Sequence, residues 1–347
     1  HAFVQKLEPI DIPKERRRTP SARLTPKEEH DYRSLVGQLA WPARESMPGL
    51  SYIVSDLQQR VSEAKIEDLV ACNTALKLAR ETVAQGLCLE FPVLEDMQDD
   101  PKVFWTLSER KKKSSMSRTH SKSSLGVSAV HDASFMQQPG EGSQYAYLLL
   151  LGPTSMYDKP CKCHLLDWSS SKIHRKVKST LAAEAAGASR AFDRAVFLRC
   201  MMSEIEHGRS AGADWNEMVK QVPFGLATDC KSLYELCKND GKLPDDRRVA
   251  LDLLDVRDGL QAYGDEFRWI PTEHMLADAL TKRMPCDLLF KFLRDNMYTF
   301  RYDDSISNTK RMAEKARRHA RAEAKKNKEN VKHVSFADFR HVRYFTV

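Results

Sequence analysis

The sequence predicts an α/β fold in which a mixed five-stranded sheet carries flanking helices and is preceded by a small α-helical unit. Three observations predict it. Apolar residues recur at helical spacing through residues 25–84. Three strand-like runs then follow one another between residues 125 and 172. Beyond them, single strands alternate with helices, so the sheet segment reads β-β-β-α-β-α-α-β-α.

Residues 1–24 hold three prolines and the run Arg16-Arg17-Arg18, and read as irregular or short-strand structure. Thr25-Pro26-Lys27-Glu28 has the form of a capping box with proline at the first helical position. Tyr32, Leu35, Val36 and Leu39 continue that helix until Pro42 limits it. Two further stripes, Ile53-Leu57-Val61 and one from Ile66 to Val83, complete a three-helix unit. Gly86 ends the third helix, and residues 87–94 read as a strand.

Residues 96–124 have linker composition, acidic and then basic and Ser-rich. Residues 125–135, 145–152 and 163–172 are the three strand candidates, the first two joined by the turn Pro139-Gly140-Glu141-Gly142. Ser179 or Thr180 caps a long helix to about Ile205, with Ala185, Ala188, Phe192 and Ala195 on its apolar face and the pair Met201-Met202 filling core. A strand at 225–228, a short helix from Lys231, a helix at 245–262 and a strand at 266–270 follow. A last helix is expected from about Glu273 to beyond Lys282. The organisation is therefore residues 1–95 helical, 96–124 linker, 125–300 sheet domain and 301–347 basic tail.

With 347 residues, 41% of them hydrophobic and 30% charged, the chain can bury real cores and is too apolar to be wholly disordered. Its longest apolar run, at 145–151, is far short of the ~20 residues of a membrane-spanning helix, so no membrane partner is expected. The chain opens at His1 with no signal peptide, which suits a fragment or processed product. Eight scattered cysteines without a repeated CxxC pair indicate neither a disulfide framework nor a zinc module, and fit a reducing intracellular setting such as a cytoplasmic particle or the nucleus. Cys161-Lys162-Cys163-His164 reads as free thiols beside a strand rather than as a metal site. The net charge of +7 equals that of residues 310–332, where ten Lys/Arg face three Glu. Such a run, like Arg110-Lys111-Lys112-Lys113, suits a polyanion or a solvated surface.

Four acids occupy positions where an unpaired carboxylate is costly. Asp132 lies inside the first strand, within Val130-His131-Asp132-Ala133-Ser134-Phe135. Glu184 borders the apolar face in the first turns of the Ala-rich helix, Asp229 directly follows an apolar strand, and Asp278 sits among Leu and Ala. Each alone is compatible with a cap or a solvent-facing charge. Together they form the set that two-ion phosphodiester hydrolysis requires: several oxygen ligands on rigid element ends, suited to two Mg²⁺ or Mn²⁺ ions.

Several stretches carry a resemblance to the C-terminal part of copia-type retrotransposon polyproteins, the end of reverse transcriptase followed by ribonuclease H. They are residues 32–39, 130–135, 167–172, 179–184, 227–229 and 269–282. The last is the most specific, with Pro271-Thr272-Glu273 followed by Leu276-Ala277-Asp278-Ala279-Leu280-Thr281-Lys282. The blocks stand in family order over roughly residues 1–300.

The resemblance implies a ribonuclease H-like sheet domain behind a thumb remnant, with Asp132, Glu184, Asp229 and Asp278 as catalytic and metal-binding acids. It further implies an RNA–DNA hybrid as partner, read through its 2′-hydroxyls, and an upstream reverse-transcriptase palm and fingers from the same polyprotein. Lys172, Arg175, Lys176 and Lys178 are candidate phosphate contacts, whereas Trp168 is expected to pack. His274, four residues before Asp278 and hence on the same helical face, is either an accessory group for product release or proton transfer or a surface histidine. The chain departs from the family in lacking a Tyr-x-Asp-Asp polymerase motif and in carrying the basic insertion and tail. Two rival readings stand beside this one. A catalytically decayed or domesticated remnant would bind nucleic acid without cleaving it, and a DDE-type integrase is disfavoured by the order Asp, Glu, Asp, Asp.

Overall fold

The N-terminal stretch expected to be irregular instead forms two short helices, α1 (Ala2–Lys6) and α2 (Lys14–Arg17), with an isolated bridge between Arg23 and Lys65. The computed structural model describes residues 2–87, 89–91, 125–138, 140, 142–207, 215–239 and 243–300. The expected linker at 96–124 and the basic tail at 301–347 lie outside the described residues.

The capping box forms as the sequence predicts. The Glu28 amide donates to the Thr25 hydroxyl (3.3 Å), and the Thr25 amide donates to the Glu28 carboxylate (2.8 Å), opening α3 (Pro26–Glu45). Pro42 does not end this helix. Its missing N–H forfeits one backbone bond, but it is buried, and its carbonyl accepts from the amides of Ser46 (3.0 Å) and Met47 (2.7 Å), which close the helix one turn later. The helices α4 (Ser51–Gln59) and α5 (Ile66–Ala84) complete the predicted trio. Leu35, Leu39, Leu57, Leu69 and Leu76 fill their core, and the Tyr32 hydroxyl donates to the Leu57 carbonyl (2.8 Å).

The strand expected at 87–94 is not formed by its described residues, 87 and 89–91; positions 88 and 92–94 lie outside the described residues. Gly86 adopts a left-handed φ of 67°, which turns the chain so that the Leu87 amide donates to the Thr82 carbonyl (3.2 Å) and Leu87 is buried.

The three-strand run is borne out. β1 (Leu125–Gln138) and β2 (Gly142–Pro153) form an antiparallel hairpin, with Gly140 at φ 66° in the turn. After the two-residue β3 (Cys161–Lys162), β4 (His164–Lys172) pairs antiparallel with β2. The Ser179 hydroxyl accepts from the Ala182 amide (3.1 Å) at the start of α6 (Thr180–His207), which is followed by α7 (Trp215–Val219). β5 (Phe224–Thr228) joins β1 in parallel, and α8 (Lys231–Lys238) and α9 (Arg247–Tyr263) lead to β6 (Glu266–Trp269), parallel to β5. The sheet order is β4-β2-β1-β5-β6, so β1 is central.

The last expected helix is replaced by two 3₁₀ segments, Thr272–His274 and Leu276–Leu280, separated by Met275 in an extended conformation. All five residues of Leu276–Leu280 are buried, a demand that one stripe of an amphipathic helix cannot meet. A helix the sequence reading did not single out, α10 (Asp287–Asp295), buries Leu289, Phe292 and Leu293 and precedes β7 (Met297–Tyr298), which pairs with β3. Met201 is also corrected: it is exposed on α6, while Met202 packs against the core.

Each face of the sheet has its own core. Val127, Ala129 and Leu149 pack with Ala185, Ala188 and Phe192 of α6 and Leu253 of α9. Val130, Leu148 and Leu150 pack with Leu276, Leu280 and Phe292 on the other face. The edge strand β4 is covered by α4, which protects its unpaired backbone. Trp168 is buried there, its indole donating to the Ala43 carbonyl (2.9 Å). Nearby, the Gln144 amide donates to the Ser55 hydroxyl (3.0 Å). Among the described residues no helix is long and apolar enough to cross a membrane.

Candidate active site

The parallel pairing of β1 and β5 sets the site. Val130 stands opposite Ala227, so two residues further along, Asp132 inside β1 comes level with Asp229, which directly follows the end of β5. Glu184 approaches from the first turns of α6, where the Ala133 amide donates to its carboxylate. Oxygens of Asp132, Glu184 and Asp229 lie within 4.8 Å of one another. Three of the four predicted acids, from three different elements, are thus brought to one point.

Asp278 is not a member of that group. It sits in the second 3₁₀ segment and is tied to the cluster through Lys282, whose ammonium lies 2.5 Å from Asp278 Oδ1 and 3.2 Å from Asp132 Oδ2. The Thr281 hydroxyl donates to Asp132 Oδ2 as well. Asp229 is steadied by the Thr272 hydroxyl, which donates to its Oδ2 (2.8 Å), and by the Trp269 indole, which donates to its carbonyl (2.9 Å).

Crowding buried carboxylates raises their proton affinity. Burial, then the charges of Asp132 and Asp229, hold Glu184 well above the usual carboxylate range. Burial also raises Asp229, against the pull of its bond from Thr272. Asp278 is pushed up to about 6 by burial and Asp132, with Lys282 opposing. For Lys282, burial acts downward, but Asp132 and Asp278 together carry it above its ordinary value. His131 is fully buried on the α6 side of β1, and burial lowers it to about 4, so it is neutral at pH 7. Its Nδ1 stands 3.8 Å from Glu184 Oε2.

The donor set fits a hard divalent cation. It consists of carboxylate oxygens alone, and Glu184 Oε2 is buried without a hydrogen-bond partner among the described residues. Cys161 and Cys163 are buried free thiols, and burial pushes Cys163 up to about 12.

No protein-family model and no curated protein matches this chain. Ribonuclease H structures do. RNase H1 from the archaeon Halobacterium salinarum NRC-1 is 16% identical over 45% of this chain and 93% of its own, at a TM-score of 0.30. The N-terminal RNase H domain of Rv2228c from Mycobacterium tuberculosis is 18% identical over 45% of this chain and 95% of its own, at 0.31. A foamy viral protease-reverse transcriptase in complex with an RNA/DNA hybrid is 11% identical over 81% of this chain and 50% of its own, at 0.29.

Among the described residues, no hydrogen bond or ion pair joins the basic candidates to the four acids. Lys172 ends β4 half-buried, Lys176 and Lys178 are exposed in the segment before α6, and Arg175 is engaged by Asp252 of α9 rather than free for phosphate. His274 does not share a helical face with Asp278, because extended Met275 separates their 3₁₀ segments; its carbonyl accepts from the Tyr298 hydroxyl (2.7 Å). Sequence reasoning gave no role to His131, Thr272, Thr281 or Lys282. The last three lie in the stretch 269–282 singled out for its motif, and His131 directly precedes Asp132.

Proposed function

We propose that this chain is a metal-dependent ribonuclease H that hydrolyses the RNA strand of RNA–DNA hybrids. We further propose that it is the ribonuclease part of a copia-type reverse transcriptase whose palm and fingers lie upstream. The observation that carries the hydrolytic reading is the convergence of Asp132, Glu184 and Asp229 within 4.8 Å. The copia assignment is supported by the residue 269–282 motif.

Asp132, Glu184 and Asp229 would hold two Mg²⁺ or Mn²⁺ ions, with Asp278 as the outer, fourth acid. When bound, the ions supply an activated water and stabilise the leaving oxygen. Asp132 is the central ligand: it is rooted in the middle strand, buried, and oriented by Thr281. Glu184 comes from a helix whose start is fixed by the Ser179 cap and whose apolar face is packed on the sheet, so its position is pre-organised. Neutral His131 excludes water beneath it without competing as a cation. The buried 3₁₀ segment gives Asp278 a fixed place beside the cluster. Lys172, Lys176 and Lys178 are proposed to meet hybrid phosphates.

The test is a substrate panel in Mg²⁺: a labelled RNA–DNA hybrid, single-stranded RNA, duplex RNA and duplex DNA. Cleavage confined to the RNA of the hybrid is expected. Binding without cleavage would favour the decayed remnant, and DNA strand transfer the integrase.

A further inference from the structure

The four acids need a positive partner in the ion-free protein, and the structure supplies one. Lys282 places a single ammonium 2.5 Å from Asp278 Oδ1 and 3.2 Å from Asp132 Oδ2. Asp132 is 2% exposed and Asp278 7%, so neither carboxylate is well served by water. Thr281, the neighbouring residue, donates to the same Asp132 oxygen. The lysine side chain is about one-third exposed, which gives it a way out towards solvent.

We infer that Lys282 is a built-in counter-cation of the acid cluster, one that neutralises Asp132 and Asp278 in the ion-free protein and competes with divalent ions for Asp132. This rests on the two-ion reading above and goes further, since it makes Lys282 a positioning residue that sets how tightly ions bind. The reason is charge and space. Asp132 Oδ2 already accepts from Thr281 and faces Lys282, so an ion engaging that oxygen must displace the ammonium. An ammonium on a flexible stem can swing away towards solvent at small cost. The exchange involves no bond making and no redox change: one cation leaves the carboxylates as another arrives.

The experiment is calorimetric titration of Mn²⁺ into the full chain and into Lys282→Met and Lys282→Arg, with melting curves in EDTA and in Mn²⁺. Lys282→Met is expected to bind Mn²⁺ about three- to tenfold more tightly, on the order of what one partly exposed ion pair contributes. Its melting temperature is expected to fall in EDTA and to recover in Mn²⁺ by more than the wild type gains. Lys282→Arg, which keeps the charge, is expected to stay near wild-type affinity. Equal or weaker Mn²⁺ binding by Lys282→Met overturns the inference while leaving the proposed function standing. Absence of Mn²⁺ binding by wild type and Lys282→Met alike overturns both, whereas binding by Lys282→Met alone supports the competition in its strongest form.

Discussion

Glu184→Gln is expected to make the ion-free protein more stable. Glu184 is 4% exposed, its Oε2 has no hydrogen-bond partner among the described residues, and two other acids have oxygens within 4.8 Å. At that distance and an effective dielectric constant of about 20, two ionised carboxylates repel by about 3.5 kcal/mol. Lys282, placed against Asp132 and Asp278, offsets part of this repulsion. Glutamine keeps the acceptor for the Ala133 amide and removes the charge, so a net gain of about 1–3 kcal/mol remains at pH 7. The assay is urea unfolding in EDTA across pH. The folded-state carboxyl titrates above its unfolded value of about 4.3. Below that pH both states carry a neutral Glu184, and the two proteins converge. As pH rises through the window up to the raised folded value, the wild type loses stability and the gap opens. Excess Mn²⁺ is expected to narrow or reverse it, since the wild type then binds more tightly. A Glu184→Gln protein less stable than wild type in EDTA at pH 7 would refute the electrostatic reasoning.

Two further outcomes follow from other parts of the structure. Arg199 is fully buried on α6, bidentate to Asp265 (2.6 and 2.8 Å) and donating to the Val222 carbonyl (2.8 Å). Arg199→Met removes the bidentate cation from a buried carboxylate and is expected to cost about 3–5 kcal/mol. The double variant with Asp265→Leu is expected to recover much of this in urea melts, and no recovery would mean the pair is not the unit. Glu28 is pulled down to about 2, chiefly by its bond from Arg16. Its stabilising contribution is therefore present above about pH 4.3 and lost as pH falls towards 2. Glu28→Gln is expected to flatten the melting temperature over that window, and an unchanged slope would show the Arg16 contact to be inconsequential.

The sheet was legible because its signals are local: period-two alternation, a Gly-containing hairpin turn, and Ser179 before an Ala-rich run. The capping box at Thr25 was legible for the same reason. Pro42 misled because a proline's cost, a forfeited N–H bond and a clash with the preceding turn, is a local one that the tertiary burial of its ring can offset. The segment at 272–280 was misread because Leu and Ala favour helix locally, while complete burial of Leu276–Leu280 accompanies a tighter and broken path. Among the acids, Asp132, Glu184 and Asp229 could be found from their placement on rigid elements. The bridging role of Lys282 could not, because nothing in its spacing shows which carboxylates a four-carbon stem will reach. His131 was invisible for a related reason: its neutrality comes from burial, a tertiary property.

The most direct measurement is a cleavage time course on a 5′-labelled RNA–DNA hybrid in Mg²⁺, comparing wild type with Asp132→Asn beside a melting curve for each. Asparagine keeps the shape of the side chain and removes the charge that would hold the ions. The wild type is expected to cut only the RNA strand, and Asp132→Asn to lose cleavage by orders of magnitude while still folding and binding the hybrid. Wild-type cleavage rates in Asp132→Asn, or no cleavage by the wild type under any divalent ion, would contradict a ribonuclease site at this cluster.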